Sequence, residues 1–213
     1  MIWQIITCNN SKHIVPVQKH LFKKYVPNAE LKYIDLGDEP TESWTHNVLA
    51  KLDTSQEYLI LGLDDFLPVR DFPFEELIPV KGFSRLELSG HKQVRLLGEE
   101  PYRVSCQFSI WKTANLVELL KIKRTPWQFE VKGELKGNVY HLESPVWYIE
   151  ESAISGRQKG KINLCGLKKE DIDELISLKL VNENDIIYGW KGNSERTKES
   201  YGEKYKEFYE EIS

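Results

Sequence analysis

Three strand-like segments separated by two helix-like segments open the chain, and this alternation constrains the fold more than any other feature. The segment Ile2–Thr7 is a continuous apolar run with β-branched residues, as in a strand covered on both faces. Ala29–Asp38 and Glu57–Leu63 have a similar character. Between these strands, apolar residues recur at helical spacing in Ile14–Tyr25 and in Thr41–Thr54. The order predicts an α/β fold with a parallel sheet and helices on its faces.

Past Pro68 the apolar segments become shorter and alternate with polar residues, which predicts further strands in antiparallel or mixed pairing. The sheet is therefore expected to be mixed but mostly parallel, with a further helix near residues 113–123. From about Gly166 the composition shifts to an amphipathic helical pattern and then to a charged terminal segment with an aromatic stripe at helical spacing. We predict an α/β domain of residues 1–165 and a C-terminal helical extension of residues 166–213 packed on it.

The composition excludes several classes of protein. Of 213 residues, 40% are hydrophobic and 29% are charged, which is typical of a soluble globular protein. The net charge of −4 gives no overall basic field for a nucleic-acid backbone, so we predict no nucleic-acid partner. The three cysteines lack metal-binding spacing, which indicates reduced thiols and a cytoplasmic location. No run approaches the roughly 20 apolar residues of a spanning helix, so membrane association, at the inner face, would be peripheral.

The most apolar strand ends in two adjacent acids, Asp64 and Asp65. Ligands of open parallel sheets bind beyond the carboxyl ends of the strands, where Thr7, Asn9 and Asp35 are also expected. Successive side chains of a strand point to opposite faces, so the two aspartates converge only if the chain turns there. We predict that one of them binds Mn²⁺ or Mg²⁺ together with phosphates and water, and that the other binds a sugar hydroxyl. The alternative is that Asp65 caps a turn and that Asp64 pairs with a buried Arg or Lys.

A second candidate cluster surrounds Glu130, which lies close to Trp127 and Phe129 in the sequence. A carboxylate among aromatic side chains suits a general base that accepts a proton from a substrate hydroxyl. Trp127 would stack on the apolar face of a sugar ring. The alternative is a surface glutamate beside core aromatics.

A third candidate is the basic loop that contains Arg157, Lys159 and Lys161 between glycines. Such a loop can close over a diphosphate and neutralise the charge of a leaving group. The alternative is an ordinary solvated turn.

Five segments in this order resemble the GT-A class of nucleotide-sugar glycosyltransferases, particularly the small bacterial enzymes of surface-polysaccharide assembly. They are IWQIITC, YLILGLDDFLP, YRVSCQFSIWKTANLVELL, TPWQFE and SGRQKGKI. The resemblance implies transfer of a sugar from a nucleoside-diphosphate sugar to the hydroxyl of a carbohydrate or lipid-linked acceptor. It also implies that Thr7 and the residues just after it lie beside the nucleobase, and that Asp64 and Asp65 stand at the metal and diphosphate. Glu130, after a tryptophan-rich turn, would be the base of an inverting enzyme.

Two departures from that pattern leave alternatives open. The acidic motif of the class is usually Asp-x-Asp, whereas Asp64 and Asp65 are adjacent, and Glu130 is followed by Val131 rather than by a second acid. One alternative is a sugar-phosphate nucleotidyltransferase, although the segment Thr7–His13 has none of the glycines of a phosphate loop. The other is a non-catalytic nucleotide-sugar-binding or scaffold protein of the same fold.

Overall fold

The computed structural model divides into two compact units, Met1–Glu151 and Ser152–Ser213. The expected division of roles between a catalytic domain of residues 1–165 and an extension of residues 166–213 stays a prediction. The structure describes residues 2–71, 83–88, 95–96, 103–141, 149–151, 161–164 and 167–187. Within these ranges, no helix is long and apolar enough to cross a membrane.

Three parallel strands form one side of the central sheet of the first unit. They are β1 (Ile2–Thr7), β2 (Glu30–Asp35) and β3 (Tyr58–Leu63), and β1 pairs with both of the others. The connecting helices are α1 (Val15–Tyr25), with a proline in its first turn, and α2 (Trp44–Lys51), which a 3₁₀ turn precedes. The predicted alternation of strands and helices is confirmed in this region.

The rest of the sheet is mixed. Four further strands of the main sheet follow: β5 (Arg85–Glu87), β6 (Arg95–Leu96), β7 (Ser109–Lys112) and β8 (Val139–His141). Two short strands, β4 (Phe66–Pro68) and β9 (Ile149–Glu151), pair with each other outside the main sheet. The order in the main sheet is β2-β1-β3-β7-β5-β8-β6. Because β6 and β7 run opposite to the other strands, the sheet is mixed but mostly parallel, as predicted.

Two further helices follow β7. The first is α3 (Thr113–Leu120), within the segment for which a helix is predicted, and the second is α4 (Pro126–Lys132). The sequence interpretation of this second segment as a tryptophan-rich turn is wrong. The Thr125 hydroxyl accepts a hydrogen bond from the Gln128 backbone N–H, and the Gln128 side chain accepts one from the Thr125 N–H. This capping box starts α4.

The core occupies both faces of the sheet. On one face, α2, α3 and α4 cover the strands, and the rings of Trp44 and Trp111 pack around Phe129. On the other face, which α1 covers, the rings of Trp3 and Phe108 lie 5.4 Å apart, centroid to centroid. The two faces thus have separate aromatic clusters.

The second unit has one α-helix, one 3₁₀ turn (Glu183–Asp185) and one small strand pair among its described residues. The helix is α5 (Lys169–Ser177), within the predicted amphipathic segment, and it buries Ile172 and Leu175. The strands β10 (Ile162–Asn163) and β11 (Ile186–Ile187) pair in parallel.

Candidate functional site

The chain turns where β3 ends. Asp64 and Asp65 occupy this turn, and β4 begins at Phe66. The backbone N–H of Asp64 donates to the carbonyl oxygen of Ile6 in β1 at 3.0 Å, so the turn stays attached to the parallel strands. The turn therefore lies at the carboxyl edge of the parallel strands, where the sequence predicts a ligand site.

Asp64 is buried on the α1 face of the sheet. Its carboxylate accepts a hydrogen bond of 2.6 Å from the Ser11 hydroxyl, and only 4% of the residue is exposed. Burial raises the pKa of Asp64, while the hydrogen bond from Ser11, the nearby Thr7 hydroxyl and the charge of His13 act in the opposite direction. Asp64 thus joins the turn to the loop that follows β1.

Gln18 holds the same turn from α1. Its side-chain amide is fully buried and donates to the carbonyl oxygen of Phe66 at 2.8 Å and to that of Asp64 at 3.2 Å. Its amide oxygen accepts a hydrogen bond of 2.8 Å from the Tyr33 hydroxyl. Burial and, second, the charge of Asp64 raise the pKa of Tyr33. Sequence analysis missed Gln18; its only signal is a polar residue on the apolar stripe of an amphipathic helix.

Glu130 contacts Cys106 on the other side of the turn. Glu130 Oε1 accepts a hydrogen bond of 2.7 Å from the backbone N–H of Cys106. Burial raises the pKa of the Cys106 thiol well above its usual value, and the negative charges of Glu130 and Asp65 raise it further. The raised pKa disfavours the thiolate, which is the nucleophilic form of a cysteine.

A buried cation lies near this cluster. Arg85 of β5 is fully buried, and its charge opposes the rise in the pKa of Cys106. Its guanidinium donates to the Ser109 hydroxyl and to the Arg103 carbonyl oxygen, each at 3.0 Å, and stacks over the Trp111 ring. These contacts hold a positive charge in the core, where it partly offsets the effect of the two acids on the Cys106 thiol.

The two aspartates have different surroundings although the chain turns between them. Asp64 contacts Ser11 on the α1 face, whereas the charge of Asp65 acts on Cys106. In the part of the chain that the structure describes, no group of three His, Cys, Asp or Glu side chains is arranged to hold a metal ion. A cation at this turn would take one protein carboxylate and complete its shell with phosphates and water, which is usual for Mg²⁺.

The remaining predicted residues of the nucleotide side lie in two joined loops. The Asp35 carboxylate accepts a hydrogen bond of 2.8 Å from the Gly37 N–H and lies 2.9 Å from the Lys12 ammonium. The hydrogen bonds from Lys12 and then Gly37 lower the pKa of Asp35, which is exposed. The Asn9 backbone N–H donates to the Gly37 carbonyl oxygen at 3.2 Å. The loops after β1 and β2 therefore meet beside Thr7.

Trp127 lies on α4, three residues before Glu130, and 67% of it is exposed. The other aromatic residue of the predicted cluster, Phe129, is buried between Trp44 and Trp111. The helix thus presents one aromatic ring outward and one inward.

The predicted basic loop is described only at its end. Arg157 and Lys159 lie outside the described residues. Within the second unit, the Lys161 ammonium donates to the Asp185 carboxylate at 2.8 Å and to the Asn184 carbonyl oxygen at 2.7 Å. The role of all three at a diphosphate stays a prediction.

Comparison with known proteins adds little to this geometry. No protein-family model matches the chain, and no curated protein sequence matches it. Among solved structures, the chain has a weak similarity to the catalytic domain of Drosophila β1,4-galactosyltransferase 7, determined in complex with xylobiose. The TM-score is 0.34 with 10% identity, and the match covers 56% of this chain and 51% of that chain. A similarity this weak establishes neither the fold nor the function of this chain.

Proposed function

We propose that the chain is a GT-A-like glycosyltransferase that moves a sugar from a nucleoside-diphosphate sugar to an acceptor hydroxyl, in the synthesis of a cell-surface polysaccharide. One observation supports this most strongly. Asp65 lies in the turn at the carboxyl end of β3, and the Glu130 carboxylate is hydrogen-bonded to the backbone of Cys106, on whose thiol the charge of Asp65 also acts. In the proposed reaction, one acid binds the cation at the donor diphosphate, and the other accepts the proton of the acceptor hydroxyl.

On the donor side, the proposal assigns the nucleoside to the joined loops that carry Thr7, Asn9 and Asp35. The diphosphate would lie at the turn, with Asp65 as the protein ligand of its Mn²⁺ or Mg²⁺ ion. Asp64 is buried and hydrogen-bonded to Ser11, so we assign it the role of fixing the turn. A bound cation would neutralise charge on the diphosphate.

On the acceptor side, Glu130 is proposed as the general base. The Cys106 N–H fixes the position of the Glu130 carboxylate, to which we assign the proton of an acceptor hydroxyl. The acceptor oxygen then forms a bond to the anomeric carbon, and the bond from that carbon to the diphosphate breaks. The electron pair leaves with the diphosphate. Attack from the face opposite the leaving group inverts the anomeric carbon.

Donor binding is the first test. Thermal unfolding is measured with a panel of nucleoside diphosphates and their sugars, with and without MnCl₂. A true donor stabilises the folded chain by mass action, by about 2.7 kcal/mol at one hundred times its dissociation constant. Asp65→Asn is expected to remove the cation-dependent part of this stabilisation, whereas Asp38→Asn, a nearby exposed aspartate, is the matched control. If no nucleotide or sugar nucleotide stabilises the chain under either condition, the proposal is wrong.

The second test separates an enzyme from a binding protein. Once a donor is known, release of its diphosphate is followed with carbohydrate and lipid-linked acceptors. Donor binding without any release of the nucleoside diphosphate, with every acceptor class, would identify a non-catalytic nucleotide-sugar-binding protein.

A further inference from the structure

Exposed apolar side chains are concentrated in one short segment of the first unit. Among the described residues, the large hydrophobic side chains that are exposed are Ile122 at 52%, Trp127 at 67%, Val131 at 67% and Leu178 at 51%. Three of these four lie within ten consecutive residues, and Leu178 lies in the second unit. Grouped apolar exposure of this kind marks an interaction surface more often than a scattered one does.

The segment is held firmly, so its exposure is a property of the fold. The Thr45 hydroxyl of α2 donates to the Ile122 carbonyl oxygen at 2.8 Å and accepts from the Arg124 N–H at 2.9 Å. The capping box fixes the start of α4, and Phe129 anchors the helix in the core. Trp127 and Val131 are four residues apart and share the outward face of this helix.

The same segment is basic in an acidic chain. Residues 121–136 contain five cations (Lys121, Lys123, Arg124, Lys132 and Lys136) and two anions (Glu130 and Glu134), a local net charge of +3, whereas the whole chain carries −4. Lys123 and Lys132 are exposed. Of the two anions, Glu134 is exposed, whereas the Glu130 carboxylate is half-buried and bonded to the Cys106 N–H. Lys121 pairs with Glu118, so the exposed positive charge is carried mainly by Lys123, Lys132 and Lys136.

We propose that this surface docks on an anionic lipid bilayer. The apolar-basic surface is defined by Ile122, Trp127 and Val131 together with Lys123 and Lys132. Tryptophan favours the membrane–water interface, and aliphatic side chains enter the acyl boundary. Lysine ammonium groups are attracted to the negative surface of the leaflet. The combination of an apolar centre with cations around it fits an acidic lipid surface better than a neutral one.

Three of the five residues of the surface, Trp127, Val131 and Lys132, lie on the same short helix as the proposed base Glu130. Docking of this helix would therefore bring the acceptor side of the site close to lipid headgroups. An acceptor attached to a lipid would then present its hydroxyl next to Glu130. This substrate class rests on the proposed function, whereas the membrane contact does not depend on it.

The test is co-sedimentation of the full chain with vesicles, without nucleotide. Vesicles of phosphatidylglycerol mixed with phosphatidylcholine are compared with vesicles of phosphatidylcholine alone. The chain is expected to sediment with the anionic vesicles and to dissociate as salt is added. Trp127→Ala combined with Val131→Ser is expected to raise the lipid concentration for half-maximal binding about tenfold. Leu178→Ser, which removes an equally exposed apolar side chain from the second unit, is expected to leave binding unchanged.

A second pair of variants tests the charge. The double variant Lys123→Gln/Lys132→Gln is expected to bind anionic vesicles more weakly than the wild type. The control variant Lys168→Gln/Lys169→Gln removes the same charge from exposed positions of the second unit and is expected to bind them as the wild type does. The proposal is overturned if the wild-type chain does not bind anionic vesicles. It is also overturned if the Trp127/Val131 double variant binds them as tightly as the wild type. Self-association that the double variant abolishes, in the absence of vesicle binding, overturns it too and identifies a second copy as the partner. Nucleotide binding by the wild-type chain without vesicles reports separately on the proposed function.

Discussion

The two sides of the turn at Asp64 and Asp65 differ in how their polar groups are bonded. On the α1 side, Asp64 is buried, accepts a short hydrogen bond from Ser11, and lies in a turn that the Gln18 amide holds. On the other side, the charges of Glu130 and Asp65 both act on the half-buried Cys106. Two identical neighbouring residues therefore have different surroundings: the first is hydrogen-bonded within the turn, and the charge of the second acts on the opposite side.

The largest expected effect is on catalysis and tests the α4 side. Glu130→Gln is expected to reduce sugar transfer at least about 100-fold, because the amide cannot accept the acceptor proton, while donor binding stays near that of the wild type. Diphosphate release and donor binding are measured on the same preparation. Glu134→Gln, at an exposed position, is the control with the same change in charge. Turnover of the Glu130 variant equal to that of the control would show that Glu130 is not the base.

The next effect is on stability and tests the α1 side. Gln18→Leu is expected to lower the free energy of unfolding by about 3 kcal/mol, because it leaves buried carbonyl oxygens of the turn and the Tyr33 hydroxyl without their partner. Urea denaturation measures the change. The matched control, Gln56→Leu at an exposed position, should change stability by less than about 0.5 kcal/mol. Equal effects from the two variants would contradict the role of Gln18.

A smaller effect tests the contact between Glu130 and Cys106 without any assumption about function. Removing the negative charge in Glu130→Gln lowers the pKa of the Cys106 thiol, so the thiolate fraction rises and alkylation at mildly alkaline pH should become several-fold faster. Mass spectrometry follows each cysteine separately. Cys8, which lies beside Ser11 on the α1 side, is the internal control and should react at an unchanged rate. An unchanged rate for Cys106 would mean that the two groups do not interact.

The smallest effect concerns the pH dependence of stability. Because folding raises the pKa of Asp64, the folded chain binds a proton more tightly than the unfolded chain, and its stability falls as the pH rises from about 3.9 through the folded pKa. Asp64→Asn should remove this fall. Folding lowers the pKa of the exposed Asp35, so its contribution is present above the unfolded pKa and is lost as the pH falls through the folded value.

Urea denaturation at a series of acidic pH values checks both signs. Asp35→Asn should therefore change the slope of stability against pH in the sense opposite to Asp64→Asn. Parallel slopes for the two variants would show that their surroundings do not differ as described.

The sequence predicts the parallel half of the sheet because local patterns determine it. The apolar run Ile2–Thr7 and the helical spacing of Ile14–Tyr25 are signals within single elements, and both correspond to observed elements. Helix α4 carried an equally local signal, Thr125-Pro126 followed by Gln128, which is a capping box with proline at the first helical position. Reading that segment as a turn overlooked the cap.

The arrangement of the candidate site could be predicted only in part. The pleat of a strand already implies that Asp64 and Asp65 point apart unless the chain turns. The chain does turn, yet their environments still differ, because Gln18 and Ser11 reach one side from elements about 50 residues away. Such contacts depend on how α1 packs on the sheet. The position of Cys106 between Glu130 and the turn likewise depends on the pairing of β3 with β7, which no local pattern specifies.

Gly62 has a consequence for the aromatic cluster on the α1 face. A Cβ atom on this residue would lie 2.3 Å from the Phe108 ring, so the buried ring occupies the space that any side chain at position 62 would need. Phe108 in turn packs edge-on against Trp3 and Phe22. An alanine at position 62 would therefore displace the Phe108 ring and disturb the packing of α1 on the sheet.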